Sequence, residues 1–279
     1  MGKGKPFLEL FASALHEDYR FPILEIFAFL YTLSTFMLVT SGYGSIGPMQ
    51  FSLGSYSLSN ESAAYALISS LLGFPLFILV ILIFKNVAYG LGSDLDKGIF
   101  QSYLSYPLKR WRILTAKLLS ALGIPLILFL TIQIIALYVL APDVISPNLG
   151  TVLLTYAAKL SPSLFVAGIM ILVALVLRRG GLALVMGIVL FFAMSIIPNY
   201  AGYLAYTADS PLPLQIVSVI SPEIVLMDYY SIRSALGLTA AGLWTPAFSE
   251  VLIVMGISYA IIASLFFLGY YYFTKRLGI

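Results

Sequence analysis

The chain has 279 residues, of which 61% are hydrophobic and 10% charged, with a mean hydropathy of +1.00 and a formal net charge of +3. Soluble domains carry roughly 25% charged residues, so this composition excludes an ordinary water-soluble fold and implies residence in a bilayer, where a lipid-facing helix needs no polar face. The small net charge supplies no basic face for nucleic acid, and the absence of cysteine excludes disulfides, thiolate metal sites and a cysteine nucleophile.

The first element expected is an amphipathic helix over 6–21. Phe7, Leu8, Phe11 and Leu15 fall on one face, and Glu9, Ser13, His16, Glu17 and Arg20 on the other. A long apolar run follows directly, so this helix reads as lying in the membrane interface. Crossing the hydrocarbon takes about 20 helical residues, and six apolar segments reach that length, at 22–41, 64–92, 117–141, 152–177, 182–202 and 249–273. The second is too long for a bare crossing, so its far end, from about Phe84 to Gly92, is expected to project past the bilayer. The Gly- and Ser-rich stretch 41–60 reads as a flexible outer loop. The fold class is therefore all-α: one transmembrane domain, 1–279, with six transmembrane helices.

Lysine and arginine are retained on the cytoplasmic side of short loops. The amino end carries Lys3, Lys5 and Arg20, and the second connection carries Lys97, Lys109, Arg110 and Arg112, with Lys117 at its edge. The fourth carries Arg178 and Arg179, and the carboxyl end Lys275 and Arg276. Connections 42–62 and 142–150 have none, and 203–248 has only Arg233, beside Asp209, Glu223 and Asp228. Both termini are thus expected in the cytoplasm. The external region 203–248 is too apolar for a free loop and too broken by Pro211, Pro213 and Pro222 for a crossing. It reads as short re-entrant helices that dip into the outer leaflet or cap the bundle.

Catalytic chemistry finds little support. No phosphate-binding loop ending in Gly-Lys-Ser or Gly-Lys-Thr is present, so the chain is not itself an ATPase. The lone histidine, His16, lies on a polar helix face and provides no zinc site. Glu25, Lys85 and Lys159 lie near span ends, where the lysines are expected to snorkel to an interface. Gln133, the Ser161-Pro162-Ser163 break and Pro198-Asn199 are expected to face other helices, as packing or kink points.

The second connection, 93–116, is the informative one. Ser93, Asp94 or Asp96 suits a helix start. Ile99, Phe100, Tyr103 and Leu104 then form one apolar side, Pro107 stops the helix, and Lys109, Arg110 and Arg112 bracket Trp111. Asp94 and Asp96, Lys97-Gly98, the short apolar helix, Pro107, Lys109-Arg110, Ile113-Leu114 and Lys117-Leu118-Leu119 follow in an order that resembles the ABC type 2 transporter permeases. The sequence departs from that pattern at Ile99, where the family more often has threonine. The amphipathic elbow helix, six spans with both ends inside and the proline-broken region around Ser221-Pro222 extend the resemblance over nearly the full length.

The resemblance implies an export permease of the cell membrane, multi-pass in the lipid bilayer. It would pair as a homodimer or with a similar permease and bind a separate cytoplasmic ABC ATPase. The chain itself would hold no cofactor, ATP and Mg being bound by the partner ATPase. The coupling interface would comprise Asp94, Asp96, Lys97, Gly98, Ile99, Phe100, Tyr103, Leu104, Pro107, Lys109 and Arg110. The elbow helix, with Phe7, Leu8, Phe11 and Leu15, would brace it. Competing expectations are a secondary transporter or channel-like membrane protein without an ATPase, and a membrane anchor that moves nothing.

Overall fold

The computed structural model describes residues 6–20, 22–45, 52–53, 56–57, 59–104 and 108–276. Lys3, Lys5, Phe21 and Pro107, each assigned a part above, lie outside the described residues, as does most of 46–58.

Helix α1 (Pro6–Asp18) meets α2 (Ile23–Ser45) at 70°. A minimal antiparallel ribbon, β1 (Ser52–Leu53) with β2 (Tyr56–Ser57), lies within the stretch read as flexible loop. There follow α3 (Asn60–Leu71) and α4 (Gly73–Val87), a π-helical segment Ala88–Ser93, α5 (Asp94–Asp96) and α6 (Ile99–Leu104). Helix α7 (Arg110–Leu118) runs through a second π-helical segment, Leu119–Gly123, into α8 (Ile124–Leu140). The remainder is α9 (Pro142–Ile145), α10 (Leu149–Leu177), α11 (Gly180–Ala208), α12 (Leu212–Ser218), α13 (Glu223–Tyr229), α14 (Ile232–Ala235) and α15 (Phe248–Tyr271), the last ending in a π-helical turn, Tyr272–Arg276.

Five helical stretches among the described residues are long and apolar enough to cross a membrane: Gly73–Asp96, Arg110–Leu140, Leu149–Leu177, Gly180–Ala208 and Phe248–Arg276. The bent α1–α2 pair is a sixth when counted as one span. At 1.5 Å per residue the five run about 36 to 46 Å, more than the hydrocarbon thickness. The chain is a helical protein built for multiple membrane crossings.

Two boundaries differ from the sequence reading, one of them the end of α11, which runs on to Ala208, past the expected residue 202. The segment expected as one helix over 64–92 breaks at Leu72, between α3 and α4. Pro75, in the first turn after the break, has no N–H to give the Leu71 carbonyl, and its ring crowds that carbonyl. The far end of the same segment packs within protein: Phe84, Val87, Ala88 and Leu91 are all buried. Conversely, α10 and α11 pass unbroken through Pro162 and Pro198. At Pro162 the neighbouring α15 supplies polar contacts, the Tyr259 hydroxyl donating to the Ala157 carbonyl at 2.9 Å and Ser258 pairing with Ser161. The proline leaves the Ala158 carbonyl without its helical N–H, and these contacts hold α10 to α15 beside it.

Helix α10 is the central post, burying Val166, Ala167, Met170, Ile171 and Ala174 against α11, α15 and α4. Small residues let backbones approach closely in the absence of a hydrophobic drive between helices in lipid. One close approach joins Gly92 to Gly180: a Cβ on Gly180 would strike the Ala88 carbonyl and the Ser93 amide, and one on Gly92 would strike the Gly180 backbone. Midway along the bundle, Gln133 donates to Thr35 at 2.9 Å and accepts from Tyr156 at 2.8 Å, joining α8 to α2 and α10. Gln133 is thus a packing contact, as expected, whereas Asn199 is exposed and faces no other helix of the chain.

A separate apolar cluster closes the opposite end. Leu214, Ile224, Val225, Leu226 and Trp244 from 203–248 pack on Tyr65, Ala201, Ala205 and Val251. This region caps the bundle through α12, α13 and α14. Two ion pairs fasten it: Lys159 of α10 to Glu223 at 2.7 Å, and Arg233 to Asp228 at 2.6 Å. Lys159 therefore binds the cap.

Candidate functional site

The polar residues at the other end converge on Lys117. Its side chain is 2% exposed, and its ammonium donates to Glu17 Oε2 at 2.7 Å and to Asp94 Oδ2 at 2.6 Å. The Tyr103 hydroxyl donates to the same Glu17 oxygen at 3.1 Å, and the ammonium lies 4.7 Å from the Tyr103 ring centroid. One cation thereby holds four elements: α1 through Glu17, the end of the Gly73–Asp96 span through Asp94, α6 through Tyr103, and the start of the next span through itself. A buried ammonium is costly unless paired and fully hydrogen-bonded, and this one has two carboxylates.

A second knot lies beside it. Asp18 is buried, accepts a hydrogen bond from Ser120, and gives its backbone carbonyl to Lys85. Tyr19 donates to the Ser120 carbonyl at 2.7 Å and accepts from Asn86 at 2.8 Å, and Lys85 donates to Asn86 Oδ1 at 2.9 Å. A π turn inserts one residue and leaves a carbonyl outside the i to i+4 ladder; here Ser120 and Ala121, inside such a turn, accept from Tyr19 and Asn86. Lys85, expected to snorkel to an interface, donates within this network.

Charge and burial set the two carboxyls of α1 apart. Burial alone would raise Glu17, but the hydrogen bond and charge of Lys117 outweigh it and hold the carboxyl below its ordinary value. Asp18 is pushed up to about 6 by burial, an effect that Ser120, Lys117 and Lys85 offset only in part.

The predicted coupling residues divide sharply. Helix α6 has the bounds expected, Ile99–Leu104, and Gly98 precedes it at φ 71°, a left-handed conformation that glycine adopts without strain. Ser93 and Asp94 do not cap it; both continue the helical path of the preceding span, and Asp94 is committed to Lys117. Phe100 is fully buried, with ring contacts to Tyr103 and Phe273 at 5.8 and 5.5 Å. Ile99, Tyr103 and Leu104 are half-buried. The apolar side of α6 therefore faces its own bundle, with Phe100 enclosed and Ile99, Tyr103 and Leu104 partly accessible. Asp96, Lys97, Lys109 and Arg110 are exposed, and these are the members of the set that face outward.

The elbow residues divide as well. Phe7 and Phe11 pack on the core, Leu15 is half-buried and Leu8 is exposed. The residues that seat α1 most deeply are Leu10, Ala14 and Asp18, at four-residue spacing, and none of them was singled out from sequence. The stripe thus meets protein on one side and exposed surface on the other. The pairing of Lys117 with Glu17, 100 residues apart, was missed too. Its one signal was a lysine inside the apolar run that opens the third span. Exposed His16 agrees with the sequence reading.

No protein-family model matches the chain, and no curated protein matches it.

Proposed function

We propose that this chain is the permease subunit of an ATP-driven exporter in the cell membrane, driven by a separate cytoplasmic ABC ATPase and paired with a second copy or a similar permease. The observation that carries this reading is the mounting of α6. A short helix between two long apolar spans is fixed through Tyr103, Glu17, Lys117 and Asp94 to the elbow and to both flanking spans, so a displacement of α6 reaches three elements at once. A loop that merely joined spans would need no such fastening.

Orientation follows from charge. Phe100 touches Phe273 and Gly180 meets Ser93, so the Arg178-Arg179 turn and the Lys275-Arg276 end share the α6 end of the bundle with Lys97, Lys109 and Arg112. Such a distribution supports that end, both termini and the elbow helix being cytoplasmic. The cap of α12 to α14 is then external and re-entrant. The absence of cysteine makes the topology directly readable: Lys97→Cys should react with a membrane-impermeant maleimide only after cells are opened, and Tyr206→Cys in intact cells.

The functional test is co-purification of the chain with an ATPase carrying a Walker motif encoded beside it, followed by ATPase stimulation in liposomes. No association of folded permease with that ATPase overturns the reading in favour of a secondary transporter or channel-like protein.

A further inference from the structure

The outward face of α7 joins an exposed apolar stripe to an exposed tryptophan between two exposed cations. Trp111 is 45% exposed, and two turns further along the same face Leu119 is 46% exposed, continued by Ile127, Ile134 and Tyr138 on α8. Unpaired apolar side chains along one face of a membrane-length helix mark the lipid-facing stripe, and a tryptophan at its end marks the headgroup level, where an amphipathic ring is favoured. Flanking that ring are exposed Lys109 and Arg112, with the Arg112 guanidinium 5.3 Å from the Trp111 centroid. Among the described residues no carboxylate forms an ion pair with either cation.

We infer that Lys109, Trp111 and Arg112 form a contact site for an anionic phospholipid headgroup at the start of the third span. The ring sets the depth, the lipid-facing stripe below receives the acyl chains, and the two cations meet the phosphate. Arginine provides paired N–H donors for a phosphate, while lysine acts as a point charge. A basic residue near an anionic leaflet contributes about 1 kcal/mol, so losing both cations should lower the preference for anionic over zwitterionic lipid by roughly tenfold or more. Lys109 also belongs to the expected coupling set, so the test is run without any ATPase; the site fixes the level in the membrane of the helix on which Lys117 rides.

The chain has two tryptophans, so Trp244→Phe leaves Trp111 as the only one. This single-tryptophan protein is reconstituted in vesicles of phosphatidylcholine containing an equal fraction of brominated phosphatidylglycerol or brominated phosphatidylcholine. The expected result is stronger quenching of Trp111 by the anionic brominated lipid, with the excess abolished by K109Q/R112Q and by high salt. The double variant keeps Trp111 and touches no buried residue, and its quenching by brominated phosphatidylcholine reports that the ring remains at the headgroup level. Equal quenching by the two lipids, or an excess that survives K109Q/R112Q, overturns the site.

Discussion

Lys117 and Asp94 form an ion pair of 2.6 Å in which the side chains are 2% and 3% exposed. They belong to successive long helices, and the chain between them contains α6. The loop is therefore closed at its base by a bond that water barely reaches. Glu17, from an element earlier in the chain, completes the cation's shell at 2.7 Å.

Removing that cation should be severe. Lys117→Met strands a buried carboxylate, a change that costs about 3–5 kcal/mol where one partner of a buried pair is deleted. We expect a lowered unfolding midpoint in detergent, followed by tryptophan fluorescence, and recovery of most of the loss in Lys117→Met/Asp94→Asn/Glu17→Gln. A triple variant no more stable than the single one would show that the cost lies in lost packing.

Asp18 provides a pH signature. Its carboxyl holds a proton to about pH 6 in the folded chain against an ordinary value of 3.8. The folded state thus binds the proton more tightly than the unfolded one, and the stabilisation, full below pH 3.8, is lost as pH rises through about 6. Asp18→Asn, an uncharged amide able to accept from Ser120, should melt above the parent at pH 7.5 by about 1–3 kcal/mol, the gap vanishing near pH 4. A variant that melts lower at pH 7.5 would mean that the ionised carboxylate is needed.

The glycine contact gives a matched pair. Gly180→Ala places a methyl against the Ala88 carbonyl and the Ser93 amide, while a methyl at Gly181 meets nothing within 4 Å. We expect Gly180→Ala to lose folded protein in size-exclusion chromatography and Gly181→Ala to match the parent. Equal behaviour of the two would disprove the close approach of α11 to the π-helical segment Ala88–Ser93.

If α6 transmits the ATPase stroke, the exposed and buried residues of the loop should separate in assay. Asp96→Arg/Lys97→Glu should leave the melting midpoint within about 0.5 kcal/mol of the parent, as surface substitutions do, and abolish ATPase stimulation. Phe100→Ala should cost about 3–5 kcal/mol of permease stability, the usual loss for an emptied aromatic site. Stimulation that survives the surface pair would move the contact elsewhere on this end.

The extents of α10 and α15 were legible in the sequence because a run of apolar residues must be helical in lipid, where backbone groups have no water to bond, whereas α11 runs on to Ala208, past the expected end at residue 202. The bounds of α6 were legible because Gly98 and Pro107 punctuate a short apolar run. The partners of Lys117 were not, since charge pairing across 100 residues leaves no local periodicity. For the same reason Phe100 and Tyr103 read as a free apolar side: hydropathy marks which face is buried and says nothing of which neighbour buries it. The break at Leu72 was readable from Pro75 and was passed over because hydropathy alone runs straight through it.

The seat of Gly180 on Gly92 brings one last consequence. Side chains that intervene between helices absorb small displacements by changing rotamer, and a joint of bare main chain has no such slack. A tilt of the second crossing should therefore arrive undamped at the head of the fifth, making that joint a stiff linkage between parts of the bundle that no loop connects.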